Sequence, residues 1–156
     1  MTVVLEDPAV GSPRGGARTV FPAPEEWYVE TSALVKLFIA EERSLELSSW
    51  IDRIEDRGGA IFVSDLCRTE AYRAVVRARP ALSGSVGPLL DDLAGVRVTE
   101  RDFAHARVLQ PISVRTLDAL HLAVVLSHEG RTAGIVTYDR RIVAAAEALG
   151  IRTISP

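Results

Sequence analysis

The stretch GIVTYDRRIVAAAEALGIRTI, residues 134–154, decides how the chain is read. An apolar segment at 134–137 runs into a helical pattern over 140–149, and after Gly150 a second apolar segment occupies 151–154. Two strands joined through a helix are expected to lie parallel, linked by a right-handed crossover. The same alternation continues backwards along the chain. Strands are expected at 27–30, 60–63 and 96–99. Helices are expected over 32–57 with a break near Glu41, over 65–79 up to Pro80, near 83–94, near 101–109, and over 115–128. About five parallel strands with helices on both faces follow, an α/β/α arrangement in three layers. Residues 1–26 hold Pro8, Gly11, Pro13, Gly15, Gly16, Pro22 and Pro24 without sustained periodicity and read as a flexible lead, so the folded domain is expected to span 27–156.

Composition narrows the function classes. A chain of 156 residues with 47% hydrophobic content can bury one core without disulfides or a structural metal. Cys67 is the single cysteine, which excludes an intrachain disulfide framework and a CxxC site. No apolar run approaches the roughly 20 residues of a membrane span, and no secretory pattern opens the chain, so a cytoplasmic protein is expected. The net charge of -3 and the absence of a polybasic run give no obvious nucleic-acid footprint. Lys36 is the only lysine, and it falls in the first helix rather than after a late strand, which argues against a phosphoryl-accepting receiver. The turn after the first strand reads Glu30-Thr31-Ser32-Ala33, so neither a dinucleotide fingerprint nor a P-loop is present.

Four acidic residues stand where ordinary solvated acids do not. Glu30 ends the apolar WYVE segment, and groups at the carboxyl ends of strands line the crevice of an open α/β sheet. Taken singly, it also suits a helix N-terminus through the dipole. Glu70 falls on the apolar arc of its helix, between Leu66 and Cys67 with Ala74, and needs a cation, a hydrogen-bond network or an ion pair such as one to Arg73. Asp118 opens DALHLAVVL, a helix apolar nearly all round, and also reads as a helix-start acid. His121, three residues on, is read as a satisfied core or crevice histidine rather than a ligand. Asp139 stands between a strand end and a helix start and, alone, reads as an N-cap. Gathered within about 4–6 Å, such carboxylates would repel by roughly 3–4 kcal/mol per pair at an effective dielectric of 20, and a divalent cation removes the conflict. Oxygen-only ligands select Mg²⁺ or Mn²⁺, and such a centre suits phosphodiester hydrolysis.

The stretches YVETSALVKLFIAEE, VSDLCRTEAYRAVVR, RTLDALHLAVV and IVTYDRRIVAAAEALGIRTISP, spread over most of 28–156, resemble the PIN-domain nucleases and in particular the VapC toxins of bacterial toxin–antitoxin pairs. The resemblance implies a three-layer PIN-like domain with a central parallel sheet. It maps the family's acidic quartet onto Glu30, Glu70, Asp118 and Asp139, as both catalytic and metal-binding residues, with Ser32 and Thr137 as hydroxyl neighbours of the metal site. It further implies Mg²⁺-dependent endoribonuclease activity, with Mn²⁺ as a substitute, an RNA substrate, a homodimer and a cognate VapB-type antitoxin that blocks the crevice. Arg115 before Asp118, Arg140 and Arg141 after Asp139, and Arg73, Arg77 and Arg79 on one helix are positioned for phosphates. With aromatic residues at 6%, a stacking platform for single-stranded bases has no support.

Two features depart from the family pattern. Glu30 replaces the usual Asp, and one added methylene displaces a carboxylate by about 1.5 Å where catalytic geometry tolerates about 0.5 Å. Metal binding with weakened catalysis is therefore expected, as is a gain in RNA cleavage for Glu30→Asp. The alternative is a PIN-fold module that binds RNA or antitoxin with little catalysis. The lead of 26 residues is the second departure.

Overall fold

A computed structural model describes residues 25–156 of the chain; the expected lead lies almost wholly outside them. Five strands form one parallel sheet: β1 (Glu26–Val29), β2 (Ala60–Ser64), β3 (Gly95–Val96), β4 (Thr132–Val136) and β5 (Thr153–Ile154), in the order β3-β2-β1-β4-β5. Seven α-helices are described: α1 (Thr31–Leu34), α2 (Ser44–Glu55), α3 (Asp65–Ala78), α4 (Val86–Asp91), α5 (Glu100–Val108), α6 (Thr116–Ser127) and α7 (Arg140–Ala148).

The three layers follow from period-two alternation along strands buried on both faces. Trp27 and Val29 of β1, Val63 of β2 and Val136 of β4 pack with α1 to α4 in one apolar cluster. Tyr28, Phe62 and Ile135, their neighbours in sequence, pack with α6 and α7 in the other. The strand order reverses between β1 and β4, and at such a switch point the loops leaving adjacent strands diverge and open a crevice. Glu30 lies on one side of that opening and Thr137, Tyr138 and Asp139 on the other, tied by a 3.0 Å hydrogen bond from Glu30 N to Val136 O.

Several boundaries differ from the sequence reading. The helix expected over 32–57 divides into α1, a 3₁₀ turn at Val35–Leu37, and α2, separated by a loop that turns through Arg43 in the left-handed region at φ 68°. The segment expected near 83–94 contains only α4, after a 3₁₀ turn at Pro80–Leu82. The strand expected at 96–99 is reduced to Gly95–Val96. The Asp65 carboxylate takes the Val98 N–H at 2.9 Å, and Thr99 gives its N–H to Asp102 in the capping box that starts α5, so these two donors are lost to the ladder. Opposite Glu26 and Trp27, β4 carries a register shift between Thr132 and Gly134. At Gly134, with φ 154°, a Cβ would collide with the Arg152 carbonyl and the Trp27 ring.

Candidate active site

The four acids come from four different elements and line one open crevice of about 660 Å³ at the switch point, together with Thr31, Ser32, Lys36, Arg115, His121, Tyr138 and Arg141. Each acid is held differently.

Glu30 is the N-cap of α1 and 5% exposed. Its Oε2 accepts from Ser32 N at 3.0 Å, from Ser32 Oγ at 2.6 Å and from Thr137 Oγ1 at 2.8 Å. The two hydroxyl residues singled out from the sequence thus meet on one oxygen of this carboxylate. Ser32 Oγ also accepts from Tyr138 N at 2.8 Å and Thr137 Oγ1 from Asp139 N at 3.1 Å, which ties the two sides of the crevice together.

Glu70 reaches in from α3. Its Oε2 accepts from Thr31 Oγ1 at 2.7 Å and lies 2.8 Å from His121 Nε2. The ion pair to Arg73 considered from the sequence does not form. Arg73 is exposed, whereas the inward arc on which Glu70 sits meets His121 of α6. Burial pushes the Glu70 carboxyl upward, but the hydrogen bonds from His121 and Thr31 together outweigh it and hold the group below its ordinary value.

Asp118 lies in the first turn of α6 yet caps nothing. It is 9% exposed, and among the described residues its buried Oδ2 has no hydrogen-bond partner, the nearest cation being Arg141 Nε at 3.9 Å. Burial raises its pKa, Arg141 opposes that, and the charge of Asp139 adds to it. Asp139 is the N-cap of α7: its Oδ1 accepts from Arg141 N at 2.8 Å and its Oδ2 from Arg141 Nη2 at 2.6 Å. Burial raises this carboxyl too, but the bonds from Arg141 prevail and lower it.

Of the arginines proposed for phosphate, Arg115 and Arg141 line the crevice. Arg140 lies in an adjoining pocket with Lys36, Arg43 and Tyr138, and Arg73, Arg77 and Arg79 of the α3 region are exposed and line neither. Sequence reasoning does not single out Thr31, Tyr28 or Ser64. The spacing of Asp118 and His121, three apart on one helix face, is the one signal that His121 faces the same crevice.

The donor set suits a hard divalent ion. All four side chains offer oxygen, Asp118 Oδ2 is buried without a donor, and the bonds made by Glu30 and Glu70 fall on Oε2 alone, so Oε1 of each receives none from the described residues. As placed, no three His, Cys, Asp or Glu side chains among the described residues are close enough to share one ion. Arg141 supplies the positive charge between Asp139 and Asp118 instead.

A family model for the PIN domain matches residues 27–148. Ribonuclease VapC47 of Mycobacterium tuberculosis is 35% identical over 130 residues, covering 83% of this chain and 96% of that protein. Ribonuclease VapC35 of the same organism is 35% identical over 137 residues with the same coverage. The crystal structure of Mycobacterium tuberculosis VapC20, a Sarcin-Ricin loop cleaving toxin, matches with a TM-score of 0.63 and 15% identity over 83% of this chain and 99% of that one, a likeness of fold. A parallel sheet with acids at its switch point, a PIN-domain match across most of the chain and this identity to two relatives over nearly their full length place the protein in the PIN-domain family, among the VapC ribonucleases.

Proposed function

We propose that the protein is the toxin of a VapBC-type pair, a metal-dependent endoribonuclease that hydrolyses RNA phosphodiester bonds in this crevice. The observation that supports the reading most is the convergence of Glu30, Glu70, Asp118 and Asp139, from four separate elements, on one opening at the carboxyl ends of β1 and β4. These four would hold Mg²⁺, or Mn²⁺ in its place, and the bound ion supplies water activation and charge neutralisation at the scissile phosphate.

The chain's own residues divide the remaining tasks. Ser32 and Thr137 fix Glu30 through Oε2, and Thr31 and His121 fix Glu70 in the same way. Arg115, Lys36 and Arg141 ring the acids with the cations an RNA backbone requires. Arg141 holds Asp139 and Asp118, and with a cation bound at these acids its guanidinium would be available to substrate phosphate. The kinship with VapC ribonucleases supports a VapB-type antitoxin as partner, and both its seat over the crevice and a homodimer belong to the proposed reading.

A second reading, a PIN-fold binder with weak catalysis, draws on Glu30 in place of Asp and on acids that stand apart as placed. One experiment separates the two: RNA ends are sequenced after induction of the wild type and of Asp118→Asn. The nuclease reading expects discrete new 5′ ends with the wild type and none with the variant. Identical end profiles would leave the binder.

A further inference from the structure

Behind His121, which holds Glu70, two further polar side chains sit inside the core without a place in the chemistry above. Tyr28 of β1 and Ser64 at the end of β2 are fully buried, and His121 of α6 is 2% exposed. The three form one line: Ser64 Oγ lies 2.8 Å from the Tyr28 hydroxyl, which lies 2.7 Å from His121 Nδ1, and His121 Nε2 reaches Glu70 Oε2 at 2.8 Å.

The direction of each bond can be worked out from the ends. Ser64 is the N-cap of α3, and its oxygen accepts from the backbone N–H of Cys67 at 3.1 Å. Glu70 as a carboxylate can only accept, so His121 Nε2 carries the hydrogen it shares with Glu70. Nδ1 is then an acceptor and takes the Tyr28 hydroxyl hydrogen, and the Tyr28 oxygen takes that of Ser64. In this polarity every hydrogen has an acceptor. In the reverse polarity the buried Ser64 hydrogen has none among the described residues, which is costly in a core.

We propose that Tyr28 and His121 are positioning residues for Glu70: a relay anchored on the Cys67 N–H fixes the Nε2–H tautomer of His121, which pins Oε2 of Glu70 and leaves Oε1 as its ligand oxygen. This rests on the reading of Glu70 as a metal ligand. A glutamate has three side-chain torsions and can swivel away from repelling neighbours, whereas two donors on one oxygen hold its plane. Partners of this kind, one step removed from a metal, typically change affinity or activity by about 10–100-fold when removed.

The test uses the full chain and Mn²⁺ as the probe, with binding read by calorimetry for the wild type, Glu70→Gln, Tyr28→Phe, His121→Leu and His121→Gln. Tyr28→Phe, which keeps the ring, is expected to weaken Mn²⁺ binding about 10-fold and His121→Leu nearer 100-fold. His121→Gln keeps an N–H donor and is expected to recover part of that loss. At saturating Mn²⁺ the loss should fall on kcat for RNA and leave KM unchanged. If Glu70→Gln binds Mn²⁺ as the wild type does, the ligand role of Glu70 fails. If Glu70→Gln weakens binding while Tyr28→Phe and His121→Leu bind normally, or melt earlier with unchanged affinity, the relay is overturned. Imidazole ¹⁵N spectra test it without metal: the wild type should show His121 protonated at Nε2, and a hydrogen at Nδ1 would overturn the proposal.

Discussion

Asp118→Asn is expected to stabilise the protein while removing its activity, and to do so with a particular dependence on pH and on metal. The Asp118 carboxylate is buried with Oδ2 unpartnered among the described residues, next to the like charge of Asp139, and the guanidinium closest to it, Arg141 at 3.9 Å, is half-exposed, so solvent screens its effect. A buried charge costs more to leave unpaired than a neutral polar group, and Arg141 offsets only part of that excess, so an uncharged amide at this position should return about 1–2 kcal/mol. For a domain of this size that corresponds to a rise in Tm of about 3–6 °C.

Because the folded protein holds the Asp118 proton more tightly than the unfolded chain does, the ionisation penalty is fully present above the raised pKa and absent below the ordinary carboxylate range. The advantage of Asp118→Asn is therefore largest at neutral pH and closes as the pH falls. Divalent metal reverses the order: a ligand at 100 times its Kd stabilises by about 2.7 kcal/mol, a gain open to the wild type and largely lost to the variant. Thermal melts followed by circular dichroism, in EDTA and in Mg²⁺ at two pH values, measure all three effects. A variant that melts below the wild type in EDTA at neutral pH, or an advantage that persists undiminished in acid, would refute the reasoning.

Glu70 has the opposite sign. Its pKa is lowered in the fold, so its contribution to stability is present above the ordinary carboxylate range and lost as the pH falls through the lowered value; Glu70→Gln should lower Tm at neutral pH and converge on the wild type in acid, in the same melts. Glu30→Asp is expected to raise the rate of RNA cleavage measured with Mg²⁺ in a gel assay, and an unchanged or lower rate would show that the added methylene does not limit catalysis. Arg141→Ala should tighten Mn²⁺ binding, because a competing cation leaves Asp139 and Asp118, and weaken RNA binding in a filter assay. Asp102→Ala removes a capping box and an acceptor for Ser127 where α5 packs on α6, and should cost about 2–4 kcal/mol in urea unfolding without altering Mn²⁺ affinity.

What the sequence made legible was whatever depends on local pattern. Alternation within WYVE and GIVTY, and the helical periods between such segments, specify parallel strands buried on both faces, because that reading needs only near neighbours in the chain. The four acids stood out for the same reason, each breaking a local pattern. Their partners did not. Glu70 has Arg73 one helical turn away, but its hydrogen bonds go to Thr31 and His121, 39 and 51 residues distant. Tyr28 looked like one more apolar strand residue because its ring does pack in the core; only the hydroxyl is engaged in the polar line. The shortening of β3 likewise rests on Asp65, which lies far back in the chain at the start of α3.

The position of Glu30 bears on how far its departure from Asp disturbs the centre. As the N-cap of α1 it bonds Ser32 N, the second helical N–H, a donor that a capping aspartate also uses. Two hydroxyls then fall on that same oxygen. Oε2 is therefore fixed by the helix terminus whatever the length of the side chain, and the extra methylene is taken up between the backbone and this anchor. What the longer side chain can change is the direction in which Oε1 leaves the anchored atom. An aspartate in the same three-donor socket would keep the cap and re-aim only its free oxygen, so the stability of Glu30→Asp should differ little from the wild type while its metal affinity and cleavage rate respond. A large loss of Tm in that variant would instead mean that the socket is built around glutamate, and that Ser32 and Thr137 serve the length of this side chain as much as its charge.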